Sequence, residues 1–425
     1  MTEPQPPQGY YAASAPTTAV RLSLHGDVRA DVCVIGGGFT GLSAALHLAR
    51  AGAKTVLLEA NSVGFAASGR NGGQIHSGHR KDQAELERWL GKEHARDLWA
   101  LAEESKVLVR TLAAELAPHA AVKPGLIIAA HDKTALHDLE NEVEHLHRYY
   151  DYSTAQLIDA DETFRLTGAH YHGAKLDNGG GHLHPLRYAY GLASGAEAAG
   201  AVLYEKSHAL QIEQSEHAVT VRTDGGKVTA DHILLATDAF SGEIAPELAP
   251  YIGHVESFIS ATAPLPPDIA AQIIPSDMAV ADTRHVLDYY RKSDDNRLLF
   301  AGREGYWSLP SDIAAVVRPK MLKVYPQLRD VPTEYAWSGT VGITRTRMPH
   351  FGKLSTRVFF AHGYSGHGVA LSSLGGKLMA EAAMGNSERF DVIARIPAQK
   401  FPGGTLLRKL LVAAALLTFK LMDAI

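Results

Sequence analysis

Three glycines and one carboxylate are the residues whose spacing implies chemistry most directly. Gly36, Gly38 and Gly41 fit G-x-G-x-x-G within Gly36-Gly37-Gly38-Phe39-Thr40-Gly41, and Glu59 follows the first glycine by 59 − 36 = 23 positions. The first glycine permits a tight turn and the second lets a pyrophosphate approach the backbone. The third lets the following helix pack closely on its strand. A carboxylate at this distance is placed to receive ribose hydroxyls. The chemistry is therefore the holding of a dinucleotide. The fingerprint alone does not choose between dinucleotides.

The elements that must position these residues can be read around them. Val32-Cys33-Val34-Ile35 is a short, β-branched apolar run, the pattern of a buried parallel strand. Leu42 to Ala51 reads as a helix whose N-terminus offers free N–H groups and a positive dipole end to phosphates. Thr55 to Leu58 reads as the next strand, ending at Glu59.

Two further stretches are dense in small residues. Ser62 to Gln74 follows the ribose carboxylate directly and contains Ala67-Ser68-Gly69-Arg70-Asn71-Gly72-Gly73-Gln74. Glycines there permit a close approach to a flat ligand, and Arg70 and Asn71 can donate hydrogen bonds to it. Near the other end, the strand Val358 to His362 runs into Gly363-Tyr364-Ser365-Gly366-His367-Gly368, and a helix follows from Leu371 to Met384.

Together these runs resemble the FAD-dependent D-amino-acid-oxidase superfamily. The Ser-Gly-Arg-Asn-Gly-Gly-Gln and Gly-Tyr-Ser-Gly-His-Gly runs resemble its gamma-glutamylputrescine oxidoreductase branch. The likeness spans most of residues 30–390, with its sharp motifs at the two ends. It implies FAD in the glycine-rich site. It also implies an α/β fold, with a Rossmann-like FAD-binding domain joined to an antiparallel-sheet substrate domain. The FAD-binding domain would be discontinuous, over 30–82, 186–245 and 336–390, and the substrate domain would take 83–185 and 246–335.

Carried over residue by residue, the cofactor positions are Gly36, Gly38, Phe39, Thr40, Gly41, Glu59, Ser68, Arg70, Asn71, Gly73 and Gln74. Ala209, in a strand expected to touch the adenine through its backbone, and Thr237 join them. Gly363, Tyr364, Ser365, Gly366, His367 and Gly368 complete the set at the pyrimidine end of the flavin. A helix N-terminus there stabilises negative charge on the reduced ring. Ala209 stands where valine is common, and Pro349-His350 where many relatives carry Pro-Asp.

The implied reaction is oxidation of a CH–NH bond by hydride transfer to flavin, on gamma-glutamylputrescine or a similar polyamine derivative. Oxygen is the expected electron acceptor. His76, His79, His362 and His367 are the candidates to take a proton from an ammonium or to hold it. Among them His76 and His367 are the catalytic candidates, with Tyr289. Tyr289, Tyr290 and Arg291 lie where a strand of the middle sheet is expected, and aromatic faces hold cationic amines. Two other readings stay open. A D-amino-acid or N-methyl amino-acid oxidase or dehydrogenase would need a carboxylate-binding arginine, from Arg284, Arg291 or Arg345. A membrane-associated flavin electron-transfer protein would use the C-terminal segment.

The chain between the motifs supplies the rest. Helices are expected over 83–118, with one or two breaks, over 133–150 and over 313–325. Strand character falls at 121–130, 255–265, 288–291 and 297–302. Residues 151–175 read as irregular, with Asp161-Glu162 opening a short helix. His182 and His184 read as loop residues without a third ligand, so no metal is expected.

With 425 residues, 46% of them hydrophobic, the chain can build more than one packed unit. A net charge of −5 argues against nucleic acid as a partner. The single cysteine, Cys33, excludes an intrachain disulfide and suits a cytoplasmic location. Residues 1–29 read as an arm that Tyr10 and Tyr11 could anchor, and lack the pattern of a secretory signal. Residues 391–425 form an apolar tail. Its run Leu410 to Phe419 is too short to span a bilayer but could touch a membrane surface.

Overall fold

The computed structural model describes residues 9–16, 20–305 and 310–403. Its centre is a six-stranded sheet in the order His350–Ser355, Val358–His362, His232–Leu235, Val32–Ile35, Thr55–Leu58, Val202–Tyr204. Every pairing is parallel except that of the edge strand His350–Ser355. The strands Val32–Ile35, Thr55–Leu58 and Val358–His362 are buried along their whole length, as the unbroken apolar runs require.

Alternation splits each strand between two cores. Val32, Val34, Leu57, Leu234 and Phe359 pack under the helices Phe39–Arg50, Lys92–Leu116, Pro185–Ala198 and Gly368–Ala383. Cys33, Ile35, Val56, Ile233 and Phe360 face the other way. They are covered by a four-stranded sheet of Gly26–Arg29, Gly226–Ala230, Val219–Thr223 and Gln211–Gln214. The fold is thus a Rossmann-like unit of the expected α/β class. Burial pushes the Cys33 thiol well up, so it stays a neutral packing group.

The second unit is a nine-stranded, mainly antiparallel sheet. It runs from Thr333–Ile343 through Gly253–Thr262, Leu298–Gly305, Tyr289–Lys292, Ala279–Asp282, Lys123–Ala129 and Ala174–His182 to Gln74–Ile75. Ala155–Ile158 also pairs with Ala174–His182. One face packs on the helix Ile313–Val324 through Phe258, Tyr290, Phe300, Val317 and Met321.

Several local expectations change. The break expected in the long helix falls at Gly91, whose φ of +87° ends Gln83–Leu90 and starts Lys92–Leu116. The irregular stretch holds the strand Ala155–Ile158 and the helix Ala160–Thr167. Asp159, rather than Asp161-Glu162, caps that helix by accepting from Glu162 N. His182, expected in a loop, ends the strand Ala174–His182, which also contains Gly179 to Gly181. Side chains there would strike neighbours: a Cβ would lie 2.1 Å from Tyr152 Oη at Gly179 and 2.4 Å from Lys123 O at Gly181. The strand Thr333–Ile343 crosses residue 336, where the sequence reading set a domain boundary. Ala209 lies between strands Val202–Tyr204 and Gln211–Gln214 rather than within one.

The arm is anchored: Tyr10–Ser14 is a short helix with both tyrosine rings buried. The expected apolar run Leu410 to Phe419 lies outside the described residues. Among the described residues no helix is long and apolar enough to cross a membrane.

The helices Phe39–Arg50 and Gly368–Ala383 meet with almost no spacing. A Cβ on Gly376 would lie 2.1 Å from Thr40 O, and Ser43 Oγ donates to Ser373 O at 2.6 Å. Gly376→Ala should force the pair apart and cost about 1–3 kcal/mol. Urea unfolding reads this as a lower midpoint at unchanged slope, and an unchanged midpoint would contradict the packing.

Candidate active site

The first glycine junction has the geometry that its spacing implies. Gly36 has φ of +111°, and a Cβ on Gly41 would sit 1.9 Å from Gly36 O, so helix and strand close to a distance only glycine allows. A Cβ on Gly38 would meet Ser68 Oγ at 2.8 Å, and that hydroxyl accepts from Phe39 N at 2.9 Å, at the helix N-terminus. Glu59 is nearly enclosed. Its Oε2 accepts from Gly37 N at 2.7 Å and its Oε1 from Asn61 N at 2.8 Å. Burial raises this carboxyl, and the two backbone donors pull it back towards the ionised form.

The second junction stands against the first. Gly363 and Gly366 have φ of +75° and +95°. Tyr364 reaches back so that its hydroxyl lies 2.9 Å from Thr40 Oγ1, tying the two junctions together. Asp238 fixes the turn from below. It sits at φ of +41°, and its two oxygens accept from Gly363 N at 2.8 Å and Gly342 N at 3.2 Å. Ser365 N donates to Gly342 O at 3.1 Å, so the strand Thr333–Ile343 is stitched to the same turn.

Between the junctions lies a cavity of about 470 Å³. Its walls include Gly36, Gly38, Phe39, Thr40, Glu59, Ser68, Asn71, Ala209, Thr237, Tyr364, Ser365, Gly366 and Gly368. Sequence reasoning missed Asn61, Phe65, Asp238 and Thr340 to Gly342 on the same walls. Asp238 had one available signal, an acid three residues after a buried parallel strand.

Other expected positions are close by but do not line the cavity. Gly41 acts through packing. Arg70 turns away, donating to Phe65 O at 2.7 Å and Ser338 O at 3.3 Å over the Phe65 ring. Gly73 packs on Leu183 O, and the buried Gln74 donates to Val280 O at 2.9 Å. Gly363 is the turn that Asp238 holds.

His76 and His367 come together, ring centroids 4.3 Å apart. Burial, with Arg80 and Lys175 nearby, lowers His76 to about 4. Burial, with His76 and Arg80, drives His367 well below its ordinary value. Both are neutral at pH 7. Tyr289 pairs with Ser257 Oγ at 2.9 Å and covers Gly72, while Tyr290 faces the opposite way and stacks on Phe300. His182 Nε2 is bonded to Asp277 O, and His184 accepts from Arg187 N as a helix cap.

A family model for FAD dependent oxidoreductase, DAO, matches residues 31–382. The chain belongs to this family. Within the DAO family it is 40% identical to the gamma-glutamylputrescine oxidoreductase of Escherichia coli strain K12, over 97% of each chain. It is 41% identical to a probable oxidoreductase, OrdL, of Rhizobium meliloti strain 1021, over 98% of each. Glycine oxidase from Geobacillus kaustophilus shares the fold with a TM-score of 0.72 at 22% identity, over 84% of this chain and 95% of that one. The chain is thus an FAD-dependent oxidoreductase of the DAO family. The cavity fits the DAO cofactor: glycines exclude side chains at both junctions, a helix N-terminus opens on it, and a buried carboxylate stands at the ribose distance.

Two outcomes follow. Asp238→Asn sets an amide against one of two backbone N–H donors and should cost about 1–3 kcal/mol of stability, with weaker FAD binding in a fluorescence titration. Unchanged stability and affinity would remove Asp238 from this role. His182, His362 and His79 are buried and lowered by burial to about 3, about 3 and about 4, from an ordinary 6.5. The unfolded chain takes up protons below pH 6.5 that the folded chain refuses. Stability is therefore full above that pH and is lost as pH falls towards 4, by up to about 1.4 kcal/mol per pH unit for each such group. The melting temperature should fall from pH 7 to pH 5, with a shallower slope in His362→Gln. A flat profile would contradict the burial.

Proposed function

We propose that this enzyme oxidises the CH–NH bond of an amine, with gamma-glutamylputrescine or a similar polyamine derivative as substrate. The observation that carries the reading is 40% identity, across nearly the whole of both chains, to a relative named for that compound. Bound FAD would supply the hydride acceptor for the carbon bearing the amine, and the imine left on the substrate would take up water and break to an aldehyde or ketone and ammonia.

The chain's own residues take the remaining tasks. The glycine junction and the helix N-terminus at Phe39 hold the pyrophosphate, Glu59 the ribose, and Ala209 the adenine through its backbone. The Gly363 to Gly368 turn lies at the pyrimidine end. His76 and His367, neutral and half-buried, add no positive charge beside the amine and can accept a hydrogen bond from it. Tyr289 offers a ring face on the sheet wall.

The placement of the arginines supports an amine over an amino acid. Arg291 donates to Gly72 O, Lys292 O and Tyr11 Oη. Arg284 is paired with the buried Asp282, and Arg345 is exposed. None of the three is placed to receive a carboxylate on the carbon being oxidised, as an amino acid requires; the α-carboxylate of a gamma-glutamyl amine lies at the other end of the molecule.

We further propose oxygen as electron acceptor and a cytoplasmic location, to which the buried free thiol of Cys33 is suited. Mixing the holoenzyme anaerobically with gamma-glutamylputrescine should bleach the flavin absorbance, whereas D-alanine and sarcosine should not. Bleaching by the amino acids alone would overturn the reading. Admitting air should restore the oxidised spectrum and release hydrogen peroxide. A spectrum that stays bleached in air would point to another acceptor.

A further inference from the structure

The N-terminal arm sits on residues that hold the cofactor loop from behind. Tyr11 is 2% exposed. Its ring meets Trp337 edge-on at 5.2 Å and lies 5.7 Å from the Arg291 guanidinium, which donates to its hydroxyl at 3.2 Å. Each of those two partners also donates a hydrogen bond to the cofactor loop, and Arg291 donates a third to Lys292 O. Trp337 Nε1 donates to Arg70 O at 3.0 Å, and Arg291 Nε donates to Gly72 O at 2.9 Å. The two carbonyls flank Asn71, which lines the cavity with Ser68. The Asn71 amide in turn donates to Ala67 O and Ser68 O.

We propose that the arm is a positioning clamp for the cofactor loop: Tyr11 sets Trp337 and Arg291 in the orientations from which they hold the carbonyls of Arg70 and Gly72. The proposal rests on FAD occupying the cavity described above. The contact is built to close tolerance, since a Cβ on Gly9 would lie 2.7 Å from the Trp337 ring. The arm is also tied down away from the loop. Tyr10 Oη donates to Asp295 at 2.7 Å, Arg187 Nη2 donates to Ser14 O at 2.8 Å, and Ser14 Oγ lies 3.0 Å from His184 Nε2. Without Tyr11 the indole and guanidinium lose the surface that fixes them. Two carbonyls beside the cavity are then free to lose their donors, and the loop is left to the bonds that Arg70 and Asn71 make within it.

The test is titration of apoprotein with FAD, read by flavin fluorescence, with the melting temperature measured on each variant. Tyr11→Ala and Trp337→Phe should each raise the FAD dissociation constant about tenfold. Their double variant should exceed the weaker single variant by far less than the product, because both act through one chain of contacts. Tyr11→Phe, which removes only the hydroxyl, should give a smaller rise and covers the case in which the alanine variant does not fold. Tyr325→Phe is the control for general destabilisation. It loses a buried bond to Thr167 O on the far side of the sheet, so it should lower the melting temperature without weakening FAD. Glu59→Ala reports on the cavity itself. If Glu59→Ala weakens FAD and the Tyr11 and Trp337 variants stay within twofold of wild type, the clamp is wrong and the cavity stands. If Glu59→Ala also has no effect, the placement of FAD falls and the clamp with it.

Discussion

The site depends on how closely two helix N-termini can be brought together. Phe39–Arg50 and Gly368–Ala383 each begin at a glycine turn that follows a strand of the same parallel sheet. Thr40 and Tyr364 join their first turns by one hydroxyl contact, and Gly376 lets the helix bodies touch along their length. Both helix N-termini border the cavity. Their separation therefore sets what can fit between them, and a single methyl group at Gly376 would alter both ends.

Holding such turns open leaves backbone groups that must find partners. Asp238 takes two N–H groups from two different elements, and Ser68 takes the one at the start of the first helix. Glu59 takes two more while remaining on the cavity wall. These side chains fix the loops into one shape before any ligand arrives, which reduces the entropy that binding must overcome. The carbonyls on the outer side of the Arg70 to Gly72 loop are met by Trp337 and Arg291, which stand 337 − 291 = 46 positions apart in sequence and are brought together by sheet pairing.

The sequence made the cofactor end legible because its determinants are contiguous. Strand, turn, helix and acid fall within Asp31 to Glu59, and each constrains the next. The second junction was legible for the same reason. Asp238 was not, because its partners Gly342 and Gly363 are more than 100 residues away and nothing local marks an acid that will accept from them. Arg70 was misread for a related reason. Its residue type suits a ligand, but Phe65 O and Ser338 O claim the side chain. His182 read as a loop residue, but it ends the strand Ala174–His182, in which the missing side chains of Gly179 and Gly181 make room for Tyr152 and Lys123.

The middle sheet was hardest to read, and alternation explains why. Tyr289 and Tyr290 are adjacent in sequence and lie on opposite faces. Tyr290 joins Phe258 and Phe300 in the core under the helix Ile313–Val324. Tyr289 joins Trp337, Ile259 and Ala301 on the face that carries the arm and the cofactor loop. Arg291 shares that second face, where Tyr11 and Gly72 use its donors. A tyrosine pair followed by arginine thus divides into one core residue, one wall residue and one internal tie. Register decides among them, and register is set by pairing with Leu298–Gly305 and Ala279–Asp282 rather than by the residues themselves. The wall that Tyr289 forms is therefore set by sheet register, whereas the first glycine junction is set by local sequence.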